Sequence, residues 1–166
     1  MKIIVLADTH IPKKAKKLPE ILIEHLKESD LIIHAGDWQT LEVYDELAKY
    51  GNVVGVAGNV DDEKIQQKFG LMQTLFVHGY RIGIVHGHGA RGTTKKRVLE
   101  AFKEENMDCI IFGHSHIPVN EKIEGTFLFN PGSPTDKRRQ PKFSFGVITV
   151  TEKDFQIDHV FFSKKD

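Results

Sequence analysis

The chain has 166 residues, with 23 acidic and 23 basic side chains, and we expect it to fold as one domain over residues 1–166. Because the formal charges cancel, no overall field favours a polyanion or a membrane, and we expect neither specific nucleic-acid binding nor membrane association. A single cysteine excludes a disulfide framework, and no apolar run is long enough for a signal peptide or a membrane span, so we expect a cytoplasmic protein.

The first half of the chain is predicted to alternate strands with helices. Apolar runs without polar alternation predict buried strands at residues 2–7, 30–34 and 53–57. A helix is expected after Pro19, a second one capped by Thr40, and a short charged one over residues 62–69. The apolar face of the first helix is predicted to contain Leu18, Ile21, Leu22 and Leu26.

The second half is predicted to consist mainly of hairpins. Strands at residues 73–77 and 81–85 flank a turn at His78-Gly79-Tyr80. A helix capped by Thr93 or Thr94 precedes a buried strand at residues 108–112, and further hairpins are expected over residues 119–129 and 143–162. The order of elements predicts an α/β fold with an α+β tendency at the C-terminus.

Potential metal ligands follow five of the predicted strands. In open α/β sheets, ligands bind at the carboxyl ends of the strands, so these side chains are expected to converge. Gly36-Asp37 or Gly58-Asn59 alone would be typical of a turn, but ligands at five strand ends together indicate a metal site. The candidate ligands are Asp8, His10, Asp37, Asn59, His86, His114 and His116.

The chemistry of this set predicts two metal ions. Carboxylate, amide and imidazole groups without thiolate suit Mn²⁺, Ni²⁺, Fe or Zn²⁺ with open coordination positions. Seven ligands are too many for one such ion and fit two ions that share a carboxylate, which lie about 3.5–4 Å apart in two-metal hydrolases. We expect two divalent transition metal ions, with Mn²⁺ preferred and Ni²⁺, Fe or Zn²⁺ as alternatives.

These motifs, in this order, resemble those of the calcineurin-like metallophosphoesterases. The small size and the segment of residues 130–133 are similar to the compact bacterial and archaeal phosphodiesterase branch, which resembles Vps29 in shape. The resemblance implies a four-layer α/β/β/α sandwich of two mixed sheets, with the second sheet supplied by the C-terminal hairpins. It also implies how the ligands divide: the first ion is held by Asp8, His10 and His116, the second by Asn59, His86 and His114, and Asp37 bridges them.

One position departs from the larger members of the family. Where those members have a histidine that can protonate the leaving oxygen, this chain has Val60. Loss of a general acid typically costs a factor of about 10²–10⁴ for poor leaving groups. His88, two residues beyond His86, is the candidate substitute, and Asp37, Asn59 and His88 are therefore the predicted catalytic residues.

Other residues near the motifs have two competing interpretations each. Arg91 and Ser133 are candidate phosphate contacts, although Ser133 also fits a simple turn. The basic residues at 13–17 and 137–139 are typical of a solvated face, and the alternative is a rim that attracts an anionic substrate. His34 is expected to be a structural histidine, and the alternatives are a partner that orients a metal ligand or a lid. Trp38 is expected to pack against its loop, and the alternative is stacking on a base or an aryl group.

The predicted function is that of a metal-dependent phosphoric ester hydrolase. A hydroxide bridging two metals would attack the phosphorus of a small phosphate ester, more readily a diester than a monoester. The alternatives are a phosphomonoesterase or nucleotidase with the same metals, and a non-catalytic, Vps29-like scaffold for protein contacts. Assembly into a homo-oligomer is compatible with the sequence.

Overall fold

A computed structural model describes residues 1–164, so the last two residues of the predicted domain lie outside the described residues. The described part forms ten strands and four helices. In chain order these are β1 (Lys2–Leu6), α1 (Glu20–Leu26), β2 (Leu31–His34), α2 (Leu41–Ala48), β3 (Val53–Gly55), α3 (Glu63–Lys68), β4 (Met72–Val77), β5 (Tyr80–Val85), α4 (Thr94–Ala101), β6 (Cys109–Ile111), β7 (Val119–Ile123), β8 (Thr126–Asn130), β9 (Phe143–Val150) and β10 (Phe155–Phe162).

The first sheet has the strand order β10-β9-β1-β2-β3. Strands β1, β2 and β3 run parallel, with Ile4 opposite Ile32 and Ile33 opposite Val54. Strand β9 is antiparallel to β1 and pairs with β10 on its other side. The central strand β1 has no polar alternation because both of its faces are covered, and its residues 3–6 are fully buried.

The second sheet has the order β4-β5-β6-β8-β7 and is also mixed. Strands β5, β6 and β8 run parallel, whereas β4 and β7 are antiparallel edges. The expectation that the C-terminal hairpins supply this sheet was wrong for the last of them, since β9 and β10 join the first sheet. Strand β9 is apolar on both faces, and a place beside β1 covers both of them.

Three apolar clusters show that the layers are helix, sheet, sheet and helix, as predicted. Ile3 and Val5 of the first sheet face Ile84 and Ile111 of the second, and the buried Cys109 lies in this middle cluster. The alternate residues of β1 face α1, α2 and α3, and α4 covers the outer face of the second sheet. Burial raises the pKa of the Cys109 thiol, which therefore remains protonated and packs as an apolar side chain.

The helices begin close to the predicted positions, with two differences in detail. Ile21 is 38% exposed, so the buried face of α1 consists of Leu22 and Leu26 without it. Thr40 precedes α2 but does not cap it with its side chain, because its hydroxyl donates to the Ile11 carbonyl. Thr93 does cap α4, accepting the Lys96 N–H. No helix within residues 1–164 combines the length and the hydropathy that crossing a membrane requires.

The two sheets are joined where their parallel strands end. The Asp8 N–H donates to the Gly36 carbonyl at 2.9 Å, which ties the ends of β1 and β2 together. Between the sheets, the His114 N–H donates to Asp8 Oδ2 at 2.9 Å. The loops after β1, β2, β3, β5 and β6 therefore meet at one edge of the sandwich, where the candidate ligands lie.

Candidate metal centre

Six of the seven predicted ligands form two groups with converging ligand atoms. Asp8, His10 and His116 form the first group, and Asp37, His86 and His114 form the second. Within each group the ligand atoms lie within 4.8 Å of one another. Asn59 adds its amide oxygen to the second group, 3.1 Å from His86 Nε2 and 3.2 Å from His114 Nδ1.

The Asp37 carboxylate lies between the two groups. Its Oδ2 is 3.1 Å from His86 Nε2 in the second group and 3.7 Å from His10 Nε2 in the first. Its other oxygen accepts the Val60 N–H at 3.0 Å, which fixes the orientation of the carboxylate. A single oxygen of Asp37 therefore faces both groups, which is the arrangement a bridging ligand requires.

The backbone holds two of the histidine rings with one nitrogen pointing into the centre. His86 Nδ1 lies 2.8 Å from the Ala35 carbonyl, and His116 Nδ1 lies 2.5 Å from the Asp136 carbonyl. Each carbonyl can only accept a hydrogen bond, so Nδ1 carries the proton in both rings. In the neutral rings, the Nε2 lone pairs would face the centre, and such outer contacts commonly orient metal-binding histidines.

Three buried polar atoms of the first group are placed to bind a metal ion, because no hydrogen bond from the described residues satisfies them. Asp8 Oδ1, His10 Nε2 and His116 Nε2 are buried and have no hydrogen-bond partner among the described residues. Buried polar atoms without a partner are rare in proteins because each one loses its hydration. Since all three belong to one group of converging ligand atoms, the donor set fits a divalent cation.

Five of the seven candidate ligands have a left-handed backbone conformation. Their φ angles lie between 47° and 73°, in the region that non-glycine residues rarely adopt, and the residues are Asp8, His10, Asp37, His114 and His116. Such conformations cost free energy and persist only where the surrounding structure enforces them. In each case the strand ends and the chain turns sharply, which directs the side chain toward the centre.

Glycines allow the loops of the centre to approach closely. Gly36 has a φ of +100°, and a Cβ there would lie 2.6 Å from His86 Nδ1. A Cβ on Gly113 would lie 2.9 Å from Asp8 Oδ2. The glycine in each Gly-ligand pair is therefore needed because a neighbouring ligand occupies the space of its side chain.

The acid–base state of the centre is organised around His86. Burial raises the pKa of Asp8 to about 7. Burial would also raise the pKa of Asp37, but its hydrogen bond to His86 and the charge of that ring outweigh burial and lower the pKa to about 2. For His86, burial favours the neutral ring, whereas the two carboxylates outweigh it and raise the pKa to about 9. Without a metal, the His86 imidazolium supplies the positive charge that a cation would otherwise provide.

The remaining histidine ligands are held in the neutral form. Burial lowers the pKa of His10. It also lowers the pKa values of His114 and His116 to about 4, and the charge of His86 adds to the effect on His114. Neutral imidazole is the form that binds metal ions, so these rings are ready to coordinate at neutral pH.

Asp61 is a supporting residue that the sequence did not single out. Its carboxylate accepts the backbone N–H groups of Asp37 at 2.9 Å, Gln39 at 2.7 Å and Gly58 at 2.7 Å. These contacts tie the loop after β2 to the loop after β3. The signal in the sequence was a second polar residue in Gly58-Asn59-Val60-Asp61, which is hard to distinguish from ordinary turn chemistry.

Ser133 is buried against the loop after β1. Its hydroxyl donates to the Asp8 carbonyl at 2.7 Å and accepts the Asp136 N–H at 2.8 Å. In this arrangement the hydroxyl supports the backbone of a ligand, and a contact with substrate would require it to leave these partners. The neighbouring Thr135 donates to the Thr9 carbonyl at 2.6 Å, which adds to the same support.

His88 and Arg91 lie in the loop after β5, beside the second group. The His88 ring centre is 5.5 Å from that of His86, and its Nδ1 is buried without a partner among the described residues. Arg91 is exposed, and its carbonyl accepts a hydrogen bond from the Arg97 guanidinium. Arg97 also donates to the Gly87 carbonyl at 2.8 Å, so this arginine, which the sequence did not indicate, shapes the loop that carries His88.

Two clefts border the centre. One, of about 390 Å³, begins at His10 and contains Lys13, Lys14, Arg138 and Val60 among its lining residues. The other, of about 560 Å³, is lined by the candidate ligand Asn59, by His88 and by apolar side chains that include Phe69 and Leu71. Because each cleft reaches a different metal-ligand group, the centre is open on two sides.

His34 and Trp38 pack beneath the centre, as expected for structural residues. Their rings stack with centres 3.9 Å apart, and the Trp38 Nε1–H donates to the Val56 carbonyl. His34 Nδ1 accepts the Gly36 N–H, so Nε2 carries the proton and donates to the Thr9 hydroxyl at 3.0 Å. Both side chains are fully buried, which excludes stacking of Trp38 on a substrate base in this arrangement.

Comparisons with known proteins identify relatives over nearly the whole chain. The model of the calcineurin-like phosphoesterase superfamily domain matches residues 1–153. A probable metallophosphoesterase of Methanocaldococcus jannaschii is 36% identical over 155 residues, which cover 92% of this chain and 78% of that protein. A phosphodiesterase of the same organism is 30% identical over 147 residues, covering 80% of this chain and 83% of that protein. The crystal structure of Entamoeba histolytica Vps29 complexed with Zn²⁺ has the same fold, with a TM-score of 0.77, 21% identity and coverage of 97% of this chain and 99% of that one.

Proposed function

This chain belongs to the calcineurin-like phosphoesterase superfamily, and we propose that it is a phosphodiesterase with a centre of two divalent metal ions. The observation that carries the proposal is the position of Asp37 Oδ2, which faces His86 in one ligand group and His10 in the other. A carboxylate oxygen shared by two ligand groups is what a two-metal hydrolase needs.

In the proposed mechanism, the candidate ligands hold the metals, and the exposure of the second ligand group determines where the ester enters. Asp8, His10 and His116 would hold one ion, and Asn59, His86 and His114 the other, with Asp37 between them. When bound, such a pair supplies an activated water as the nucleophile and neutralises charge on the phosphate. Asn59 is exposed and His114 only half buried, so the second group is the side that the ester reaches first.

The choice of metal follows from the ligands. Imidazole, carboxylate and amide ligands suit Mn²⁺, Ni²⁺, Fe and Zn²⁺, and we take Mn²⁺ as the first candidate because hard oxygen ligands make up nearly half of the set. The Vps29 of Entamoeba histolytica was crystallised with Zn²⁺, which supports Zn²⁺ as the next candidate here.

Two features favour a diester over a monoester. Clefts next to both ligand groups leave room for substituents on two sides of a phosphate. Val60, which is 46% exposed beside one of these clefts, cannot donate a proton to a poor leaving group. A relative named as a phosphodiesterase supports the same preference.

His88 is proposed to assist the leaving group from the side of the second ligand group. It borders the cleft that Asn59 lines, so its ring can reach an ester oxygen bound there. Arg91, in the same exposed loop, is the proposed contact for a phosphate oxygen. For Ser133 the buried hydrogen bonds to the Asp8 loop favour an indirect role, in which it positions a metal ligand.

Two other functions are open to the same fold. A phosphomonoesterase or nucleotidase could use the same metals, and Val60 argues only mildly against it. A scaffold for protein contacts is suggested by the similarity to Vps29. The filled set of ligands argues against the scaffold, since a protein that only makes contacts has no need of seven converging ligands.

The test is a panel of mono- and diesters, run with metal analysis of the purified protein. The proposal expects bound metal and turnover of bis(p-nitrophenyl) phosphate that exceeds turnover of p-nitrophenyl phosphate. A protein that binds metal and hydrolyses only the monoester contradicts the diester preference. A protein that retains no metal and hydrolyses neither ester supports the scaffold. We further propose that the substrate is a small phosphate ester and that the protein acts in the cytoplasm. Assembly into a homo-oligomer is also proposed, and analytical sedimentation would test it.

A further inference from the structure

The cleft beside His10 concentrates positive charge in a protein whose formal net charge is zero. Lys13, Lys14 and Arg138 line it, and within residues 1–164 Asp136 contributes the single carboxylate of the lining. The sequence contained these residues as two separate basic runs that are more than 120 positions apart. The fold brings them together in one cleft next to the candidate ligand His10. Basic residues that serve only as solvated surface charges have no need to converge in this way.

The backbone fixes both basic segments relative to the centre. The Lys14 N–H donates to the His10 carbonyl at 2.7 Å, so a tight turn connects this ligand to the lysines. On the other side, His116 Nδ1 lies 2.5 Å from the Asp136 carbonyl, two residues before Arg138. Both segments are therefore anchored to ligands of the first group.

The carboxylate in this cleft does not cancel its positive charge. The Asp136 side chain is only 14% exposed, and its Oδ2 lies 3.9 Å from His116 Nδ1, so it is directed at the ligand. Lys13, Lys14 and Arg138 are exposed.

We propose that this cleft binds a second anionic group of the substrate, which is then a phosphodiester that carries a further phosphate on the substituent facing His10. The inference rests on the proposed function and names its substrate class. A volume of about 390 Å³ leaves room for a group beyond the phosphate undergoing hydrolysis. Arginine can hold a phosphate through two parallel hydrogen bonds, and lysine adds a point charge, so Arg138 and Lys13 are the residues that select the substrate.

The test compares two esters that differ only in the added anion. These are thymidine 5′-(p-nitrophenyl phosphate) and the same compound with a 3′-phosphate, and the quantity measured is the ratio of their kcat/KM values. The wild type should favour the phosphorylated ester by about tenfold or more, the effect of one well-placed hydrogen bond to a charged group. Arg138→Gln and Lys13→Gln should each reduce that ratio severalfold, whereas Arg139→Gln, next in the chain and not lining the cleft, should leave it unchanged.

A binding measurement separates this inference from the proposed function. Calorimetry should show that the Mn²⁺-loaded wild type binds thymidine 3′,5′-bisphosphate more tightly than thymidine 5′-monophosphate. In Arg138→Gln the difference in affinity between these two nucleotides should be smaller. Equal affinities and equal kcat/KM values for both members of each pair would overturn the inference while leaving diester hydrolysis intact. Equal losses in Arg138→Gln and Arg139→Gln would overturn it too. Absence of any ester turnover would instead reject the proposed function, and the binding preference would still decide the role of the cleft.

Discussion

Asp61 holds the backbone of Asp37 in place, with its Oδ2 accepting the Asp37 N–H at 2.9 Å. The same carboxylate accepts the N–H groups of Gln39 and Gly58, so one buried acidic side chain ties two ligand-bearing loops together. The orientation of the Asp37 oxygen that faces both ligand groups therefore depends on a residue that is not itself a candidate ligand.

Asp61→Asn should weaken metal binding without removing a ligand. The amide has only one acceptor oxygen, and its NH₂ would face backbone N–H groups, which should cost about 1–3 kcal/mol for each N–H left unpaired. Changes in such supporting contacts typically lower metal affinity by about 10–100-fold. Calorimetric titration with Mn²⁺ would measure this, with Asp62→Asn as the control that alters only the cap of α3. An Asp61→Asn variant with wild-type affinity contradicts the assignment.

Asp37→Ala should be the most damaging change at a ligand. It removes the oxygen between the two groups, so both ions lose a ligand and kcat/KM should fall by at least about 10²-fold. Inductively coupled plasma mass spectrometry of the dialysed variant should find substantially less than two ions per chain. Asp45→Ala, which removes an exposed carboxylate from α2, should retain both ions. Full metal content in Asp37→Ala would refute the bridging role.

Removal of metal should reduce both activity and thermal stability. Asp8 Oδ1, His10 Nε2 and His116 Nε2 are buried without partners among the described residues, so a chelated protein leaves them unsatisfied. Treatment with a chelator should abolish ester hydrolysis, and addition of Mn²⁺ should restore it and raise Tm. Since a ligand present at 100 times its Kd stabilises by about 2.7 kcal/mol, the rise should be several degrees. If neither the chelator nor added Mn²⁺ changed Tm, these atoms would bind no ion.

His88→Ala should affect poor leaving groups more than good ones. A group that assists departure matters little for p-nitrophenolate and much for an alcohol, for which loss of an acid costs about 10²–10⁴-fold. The measurement compares kcat for bis(p-nitrophenyl) phosphate with kcat for thymidylyl-(3′→5′)-thymidine, a diester in which either leaving group is an alcohol. Equal losses for both esters would assign His88 to positioning alone.

His34 should make the protein less stable in acid. Burial lowers its pKa well below 6.5, so the folded state keeps the ring neutral while the unfolded state takes up a proton below about pH 6.5. The contribution of His34 to stability is therefore present above that pH and is lost as the pH falls. His34→Phe should lower the free energy of unfolding at pH 8, because the Gly36 N–H loses its acceptor, and should flatten the dependence on pH between 4 and 6.5.

Urea unfolding of the chelated protein at several pH values would measure that slope. His78→Asn is the control, since its residue lies in the exposed turn between β4 and β5 and asparagine tolerates the left-handed backbone there. Identical slopes for wild type and His34→Phe would show that acid sensitivity arises elsewhere.

The sequence predicted most strands and the convergence of the candidate ligands because both follow local rules. A buried strand has a continuous apolar run, and the ends of parallel strands meet at one edge, which was sufficient to bring Asp8, Asp37 and His86 together. It did not predict that β9 pairs with β1, since a strand that is apolar on both faces fits either sheet. That choice depends on contacts nearly 150 residues apart.

The supporting residues were harder to predict for a different reason. Asp61 and Asp136 act on the centre through backbone groups, and in sequence each resembles an ordinary acidic residue in a loop. The convergence of Lys13 with Arg138 is likewise invisible until two distant loops are placed side by side. A candidate ligand can be recognised from its residue type, whereas a residue that supports a ligand can be recognised only from its contacts in the folded structure.

The left-handed backbone at five ligands has a consequence for protein engineering. Glycine would relieve the unfavourable φ angle at Asp8, His10, Asp37, His114 or His116. A laboratory selection for heat resistance that is run in a chelator, without a demand for catalysis, would place no value on these side chains as ligands, because no bound ion then stabilises the protein through them. Directed evolution of this chain for robustness should therefore be run with metal present and with an activity screen in every round, so that relief of the backbone does not remove the side chains on which the proposed chemistry depends.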